Sequence, residues 1–444
     1  MNFDSDHPDF HHVLDNRAGI LETSDERVNR ETEPRDPYHV AAATLFLFGI
    51  ASLLPWHFFI SATSYWDYKF RDLNNCTARS RLQDDFYVYL SIASKVPYII
   101  FLLVNARITQ YVALRHRLIW PLVACIILFA VVAALAEVDT DDEQFVFLGV
   151  TLGLVVLINV FCGFLQGAGT GLAGCLPSFF MVIMTNGQGV GGIFATVCQL
   201  LCLLLNVSPQ TTGVLYFSIA VGMLIMTLIM FIIQLNLSFT KHYLSKQATA
   251  TLNSTRRVEI EIPYWRIFCQ GWELYIGVVV IYWVTLAAFP ALCGLIQSPL
   301  ISSDSIHANN VFKNLACFMN FNLFSVIGRV ASSYLPVGSS RKRLILMLCI
   351  SRVVFIPLLM LCNLSPDKRR AIPVLFPEDW EYVVITAMFA FTNGYTTNLV
   401  MVFACKTTSP EYEEVAGSLS AVFLGVGLCV GALTGFPLVK LLHL

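Results

Sequence analysis

The chain has 444 residues, of which 56% are hydrophobic and only 13% charged, with a net charge of −2; a soluble globular protein carries about 25% charged residues. Ten acids and four arginines crowd into the first 39 residues, so the rest of the chain is poorer still in charge. A soluble enzyme, a nucleic-acid binder and a disordered scaffold are excluded, and the composition is that of an all-α polytopic membrane protein.

Residues 1–39 read as an acidic, disordered cytoplasmic tail with no charged-then-apolar leader. Crossing a bilayer takes about 20 mostly apolar residues. Eleven such blocks follow, near 40–63, 86–104, 118–136, 145–177, 188–205, 211–235, 272–297, 309–334, 344–362, 380–404 and 415–441. The fourth is too long for one straight crossing, and its tail from Thr170 to Pro177 is interrupted by Gly and Pro. A polar connection divides the blocks into an N-terminal bundle at 40–235 (six spans), a cytoplasmic central loop at 236–270 and a C-terminal bundle at 271–444 (five spans).

Lys and Arg in the loops set the orientation. With the N-terminus cytoplasmic, sixteen basic residues fall in inside loops, eight in outside loops, and four (Lys95, Lys313, Arg329, Arg352) in or at the ends of spans. The C-terminus is then extracellular or lumenal. Asn75-Cys76-Thr77 is a glycosylation sequon in the first outside loop, which agrees. Most of the thirteen cysteines lie in apolar stretches, for example Cys125, Cys162, Cys202, Cys293 and Cys429, and read as small hydrophobes. Only Cys76 lies in a clearly polar loop, so no loop-to-loop disulfide is expected. No cysteine or histidine pair has metal spacing, no Walker-type loop is present, and neither metal nor cofactor is expected. Of the nine histidines only His57 lies inside a span.

Prolines interrupt or pinch the apolar blocks at Pro55, Pro97, Pro177, Pro290, Pro357 and Pro437. Glycines recur at four-residue spacing at Gly163, Gly167 and Gly171, at Gly187 and Gly191, and at Gly427, Gly431 and Gly435. Such spacing lets helix backbones approach closely in lipid, and breaks in both halves also fit helices bent around a midplane cavity. Polar residues at membrane depth are expensive unless they face a cavity or a partner. Asn322, Ser325 and Arg329 are spaced i, i+3, i+7 and are expected on one helix face, either lining a site or tying helices together. Lys95, two residues before Pro97, either snorkels or lines the cavity. Gln166 offers two donors and an acceptor, the chemistry that reads the edge of a purine or pyrimidine. Trp56, after Pro55, either stacks on a flat ring or sits at an interface.

From the first span to its end the chain resembles the equilibrative nucleoside transporters. The matching stretches are LLPWHFFISA (Leu53 to Ala62), FLQGAGTGLAGCLP (Phe164 to Pro177), NGQGVGGIFA (Asn186 to Ala195) and TLAAFPALCGLI (Thr285 to Ile296). FNLFSVIGR (Phe321 to Arg329), RVVFIPLLMLCN (Arg352 to Asn363), NGYTTNLVM (Asn393 to Met401) and EYEEVAGSLSAVFLGVGLCVGA (Glu411 to Ala432) follow in family order. The resemblance implies a major-facilitator-like fold of six plus five helices with the N-terminus inside and the C-terminus outside. It also implies facilitated movement of nucleosides, sometimes nucleobases, through a site between the bundles. Leu53, Trp56, Gln166 and Leu428 match positions around the base, and Phe318, Asn322 and Arg329 match the face near the sugar. Three residues depart from the family: Ser325 replaces its usual Asp, His57 its common Asn, and Lys95 its usual Met or small polar residue. With Lys95 and Ser325 added to the substrate-binding set, the expected cavity is more cationic than usual and a poor fit to organic cations.

The expected partners are a nucleoside or nucleobase and the lipid bilayer, with no nucleic acid and no obligatory protein partner evident. The alternative is a transporter of the same fold for another or a proton-linked solute, the latter through His57. Paired catalytic groups at depth, which an intramembrane enzyme needs, are not found, and eleven spans disfavour a seven-helix receptor. Asp15 followed by Ile20-Leu21 lies one residue off an acidic dileucine spacing. The plasma membrane is therefore expected, with an endolysosomal membrane as the alternative.

Overall fold

A computed structural model describes residues 36–72, 80–109, 111–205, 207–245, 263–301, 306–335, 338, 341–364, 369 and 372–443. Residues 1–35 of the acidic tail, with Ile20-Leu21, and the sequon at Asn75 lie outside the described residues. The last four residues of the expected disordered tail, 36–39, instead form a turn in which the Asp36 carboxylate accepts from the Ala41 and Ala42 amides. The helices named below are α1 (Val40–Ser61), α2 (Arg81–Ile108), α3 (Leu114–Glu137), α4 (Gln144–Cys175), α5 (Ser178–Leu204) and α6 (Pro209–Asn236). They continue with α7 (Tyr264–Ala288), α8 (Asn320–Tyr334), α9 (Lys342–Ser351), α10 (Asp379–Lys406) and α11 (Glu413–His443). Helical residues Ile306–Lys313 and a wide π-turn over Asn314–Met319 lead into α8. A tighter turn (Arg352–Val354) and a short helix (Phe355–Met360) prolong α9.

Among the described residues ten helices are long and apolar enough to cross a membrane. The exception among the expected eleven is α10, whose 28 residues would reach about 42 Å at 1.5 Å per residue. It falls short in apolarity because it carries Thr386, Asn393, Thr396, Thr397 and Asn398, all buried against protein. A helix enclosed by other helices can hold polar groups that lipid would reject.

Several boundaries differ from those expected. The fourth block is one continuous 32-residue helix ending at Cys175, and Pro177 caps the start of α5. The fifth span thus begins at Ser178, ten residues before the expected 188. The Gly-rich run Asn186 to Gly192, with which the expected block only begins, lies mid-helix and is the strip on which α1 and α8 pack. α7 starts at Tyr264, inside the stretch expected as loop, and kinks at Gly271 (φ −136, ψ 26). Beyond Ala288 the chain turns through Pro290 instead of continuing as helix to 297.

Small residues set the closest approaches. A Cβ added at Gly163 would lie 2.8 Å from the Tyr98 carbonyl oxygen, and one at Gly427 would lie 2.6 Å from that of Val279. This draws α4 onto α2 and α11 onto α7. The first six helices meet the last five along α5–α8, α2–α11 and α4–α11.

At the end of the molecule where α4 finishes and α11 begins, charge joins these groups. The Lys406 ammonium at the end of α10 donates to the Gly174 and Leu176 carbonyls, both at 3.2 Å, and to Glu413 Oε1 at 2.9 Å. It thereby places a cation at the carbonyl end of α4, where the helix dipole favours one. Arg117 of α3, 3% exposed, pairs with Glu414 of α11 and reaches Thr109 Oγ1 at 3.1 Å. Ser418 adds a hydrogen bond to the Gly167 carbonyl at 3.1 Å.

Candidate functional site

The polar residues of α8 make contacts on two sides. Asn322 Nδ2 donates to Thr196 Oγ1 of α5 at 3.3 Å, in space left by Gly192, where a Cβ would collide with the Asn322 amide. Arg329 donates through Nη1 to the Thr185 carbonyl of α5, while its buried Nε has no partner. Ser325 turns elsewhere and accepts from Asn393 Nδ2 of α10 at 3.3 Å. The reason is angular. At about 100° per residue, Arg329 falls about 20° from Asn322 but Ser325 about 60° from it. The single face expected from i, i+3, i+7 therefore divides, with Asn322 and Arg329 toward α5 and Ser325 toward α10.

Trp56 and His57 are half-buried beside Pro55 in α1. The Lys95 Nζ stands 3.4 Å above the Trp56 ring centroid. Lys95 is 6% exposed, so it stays at depth and does not snorkel. His57 lies within electrostatic range of both Lys95 and Arg329. Gln166 is fully buried, and its Oε1 accepts from Gln188 Nε2 at 3.1 Å. That bond leaves Gln166 Nε2 and Gln188 Oε1 without partners, and the Tyr98 hydroxyl is unpartnered as well, while the Tyr282 hydroxyl and Thr397 Oγ1 have only each other. Tyr282 of α7 lies in electrostatic range of Tyr98 of α2 and of Arg329 of α8, which links helices of both groups. Buried polar atoms are more than 90% paired in native proteins, and each orphan costs about 1–3 kcal/mol. A group of them is where a polar solute can complete the bonding.

Leu53 and Leu428 are half-buried, Leu428 packing on the main apolar core. Phe318, in the π-turn, meets Phe289 edge-on with centroids 5.6 Å apart. Its ring contact is therefore with the end of α7 instead of with the polar group.

Sequence reasoning missed a second network. Arg352, 1% exposed, donates to the Ile281 carbonyl at 3.0 Å and Thr285 Oγ1 at 3.1 Å, and sits 5.1 Å from the Phe389 centroid. Thr285 in turn donates to Asn393 Oδ1 at 2.8 Å, and Asn393 reaches Ser325. Asn398 ties α10 to α8 and α5, through Ser332 Oγ at 2.7 Å and Thr185 Oγ1 at 2.8 Å. The available signal was a lone arginine in an apolar run and the polar string Thr392 to Asn398. Among the described residues no group of three or more His, Cys, Asp or Glu could hold a metal ion.

A family model described as nucleoside transporter matches residues 152–263 and 247–440. The chain belongs to the nucleoside transporter family. This nucleoside transporter is 30% identical to equilibrative nucleoside transporter 2 of Homo sapiens, over 92% of this chain and 98% of that protein. It is equally similar, at 30%, to equilibrative nucleoside transporter 1 of Rattus norvegicus, over 91% and 98%. Equilibrative nucleotide transporter 1 of Arabidopsis thaliana is 24% identical over 90% and 86%. Among solved structures, the major facilitator transporter FucP in its outward conformation superposes with a TM-score of 0.52 at 14% identity, covering 90% of this chain and 91% of that one. That likeness shows the fold. The protein is thus a multi-pass membrane transporter with a major-facilitator-like fold, not an enzyme.

Proposed function

We propose that the protein moves nucleosides, and nucleobases as smaller solutes with the same rings, down their gradients by alternating access. The N-terminal bundle (40–235) and the C-terminal bundle (271–444), joined by the loop 236–270, rock about a midplane site. With eleven crossings the termini lie on opposite sides; the loop basic residues favour a cytoplasmic N-terminus, and with it an outside C-terminus, a glycan on Asn75 and residence in the plasma membrane. The observation that carries the reading is the set of unpartnered buried polar atoms shared by both groups of helices. Gln166 reads the base edge, and Leu53, Trp56 and Leu428 supply its apolar walls. Asn322 and Arg329 hold ribose hydroxyls, Phe318 and Ser325 support them from behind through Phe289 and Asn393, and Lys95 lies at the ring. The decisive test is counterflow of radiolabelled uridine in proteoliposomes preloaded with unlabelled uridine. Transient accumulation of label without ATP is expected, and a trace indistinguishable from protein-free vesicles overturns the reading.

Two further outcomes follow. Gln166→Ala removes the base-reading amide and is expected to lower uridine uptake about tenfold or more, one hydrogen bond at a buried site contributing roughly 1.5 kcal/mol. Undiminished uptake per surface-expressed molecule removes Gln166 from the site. The Arg117–Glu414 pair and the Lys406 contacts close the end where α4 meets α11. Glu414→Gln leaves Arg117 without its counter-charge and is expected to open that end more often. Cys175, half-buried there and bonded to the Gly171 carbonyl at 3.1 Å, reports it. Its alkylation, followed by mass spectrometry, should rise several-fold, and an unchanged rate shows that the pair does not hold this end shut.

A further inference from the structure

We infer that Lys95 extends the solute range of this transporter to anionic rings, that is, nucleobases carrying a negative charge at neutral pH, of which monoanionic oxopurines are the best fit. The inference rests on the transport reading above and adds the charge of the solute. Lys95 lies midway along the 28 residues of α2, is more than nine-tenths buried, and makes neither hydrogen bond nor ion pair among the described residues. Its contact is the face of Trp56 at 3.4 Å, and a cation–π contact offsets only a small part of the cost of dehydrating an ammonium.

Among the described residues no carboxylate stands in electrostatic range of Lys95 to supply the rest. α1, α4, α5 and α8 contain no Asp or Glu, and those of α2, α7, α10 and α11 lie within the first ten residues of each helix. Arg329, the next cation in range, is satisfied through a neutral carbonyl and keeps a free Nε–H. Besides Lys95 itself, the groups in electrostatic range of Lys95 and His57 are Cys162 and Arg329, and Tyr98 lies beyond Cys162. The central region is therefore positive and rich in donors. Gln166 Nε2, Arg329 Nε and the Tyr98 hydroxyl are unpartnered, against the one free amide oxygen of Gln188. A flat ring bordered by carbonyl oxygens and bearing one negative charge matches each of these features. Its face replaces the ammonium on Trp56, its charge pairs with Lys95, and its oxygens meet the spare donors.

The test uses the purified full chain in proteoliposomes with radiolabelled urate, the probe anion, alongside uridine. Urate is expected to enter saturably, to compete with uridine, and to concentrate above its external level when valinomycin and potassium make the lumen positive. Uridine, being neutral, only equilibrates. Lys95→Met is expected to raise the urate concentration for half-saturation at least tenfold while lowering that for uridine, and Lys95→Arg to keep urate transport. Intact uridine counterflow without urate entry overturns this inference and leaves the transport reading standing, whereas loss of uridine counterflow in the wild type overturns the transport reading itself. Equal losses for both solutes in Lys95→Met assign the lysine a structural role and also overturn the inference. If that variant does not fold, voltage-driven urate accumulation by the wild type decides alone.

Discussion

Arg329→Ala is expected to reach the cell surface and to lose uridine and adenosine uptake. The guanidinium is the one charged group of α8 at depth, and it already bridges to the Thr185 carbonyl of α5. Its Nε–H has no partner, and so remains available to a solute hydroxyl. A hydrogen bond to a charged group contributes about 1.5–3 kcal/mol, which corresponds to a rate loss of roughly 10- to 100-fold. Folding should survive, because α5 and α8 also meet through Asn322 and Thr196. Arg329→Lys retains the charge and one donor for Thr185 but not the second, and should fall between the two. The measurement is the initial uptake rate per molecule at the surface. Wild-type rates in both Arg329→Ala and Gln166→Ala would remove the site from this part of the protein.

Gly394→Ala is expected to prevent accumulation of folded protein. α8 and α10 touch backbone to backbone, and a methyl at Gly394 would overlap the Ser325 carbonyl, while one at Gly328 would overlap that of Phe391. Neither neighbour is a flexible side chain that could swing away, so the helices must part. Parting them breaks the Asn393–Ser325 and Asn398–Ser332 bonds together. Overpacking of a tight contact costs about 1–3 kcal/mol, and the stranded amides add about 1–3 kcal/mol each. The readout is monodispersity and melting temperature in detergent. Gly222→Ala on α6, with nothing within 4 Å of the added methyl, should behave as wild type. Equal melting temperatures for the two variants would show that α8 and α10 do not need this approach.

The lipid-facing parts of the fold were legible in the sequence because exposure to hydrocarbon permits little but apolar side chains. The blocks expected at 118–136 and 211–235 became α3 and α6 with modest changes at their ends. Among the enclosed helices, α10 was legible as the block at 380–404, whereas the start of α5 was not. Gly187 to Gly192 in α5 and Thr392 to Asn398 in α10 are poor in apolar side chains, and most of both strips is buried against protein. Membrane depth singled out Arg329 and Lys95, whereas their partners depend on which helices become neighbours, and spacing along one helix does not carry that. Ser325 shows the limit: three residues from Asn322, it joins a different network. Arg352 was visible as a charge in a span, but its role required Ile281 and Thr285, some seventy positions away in the chain.

The chain of bonds from Arg352 through Thr285 and Asn393 to Ser325 also has a mechanical meaning. It stitches α9, α7, α10 and α8 with short polar links at one level of the bundle. Between helices held otherwise by slippery apolar contacts, such links resist sliding and twisting much as cross-bolts stiffen a stack of rods. In the motion proposed above, these four helices then turn as one block. The bending must be taken up elsewhere, at kinks such as Gly271 and at the turns after Ala288.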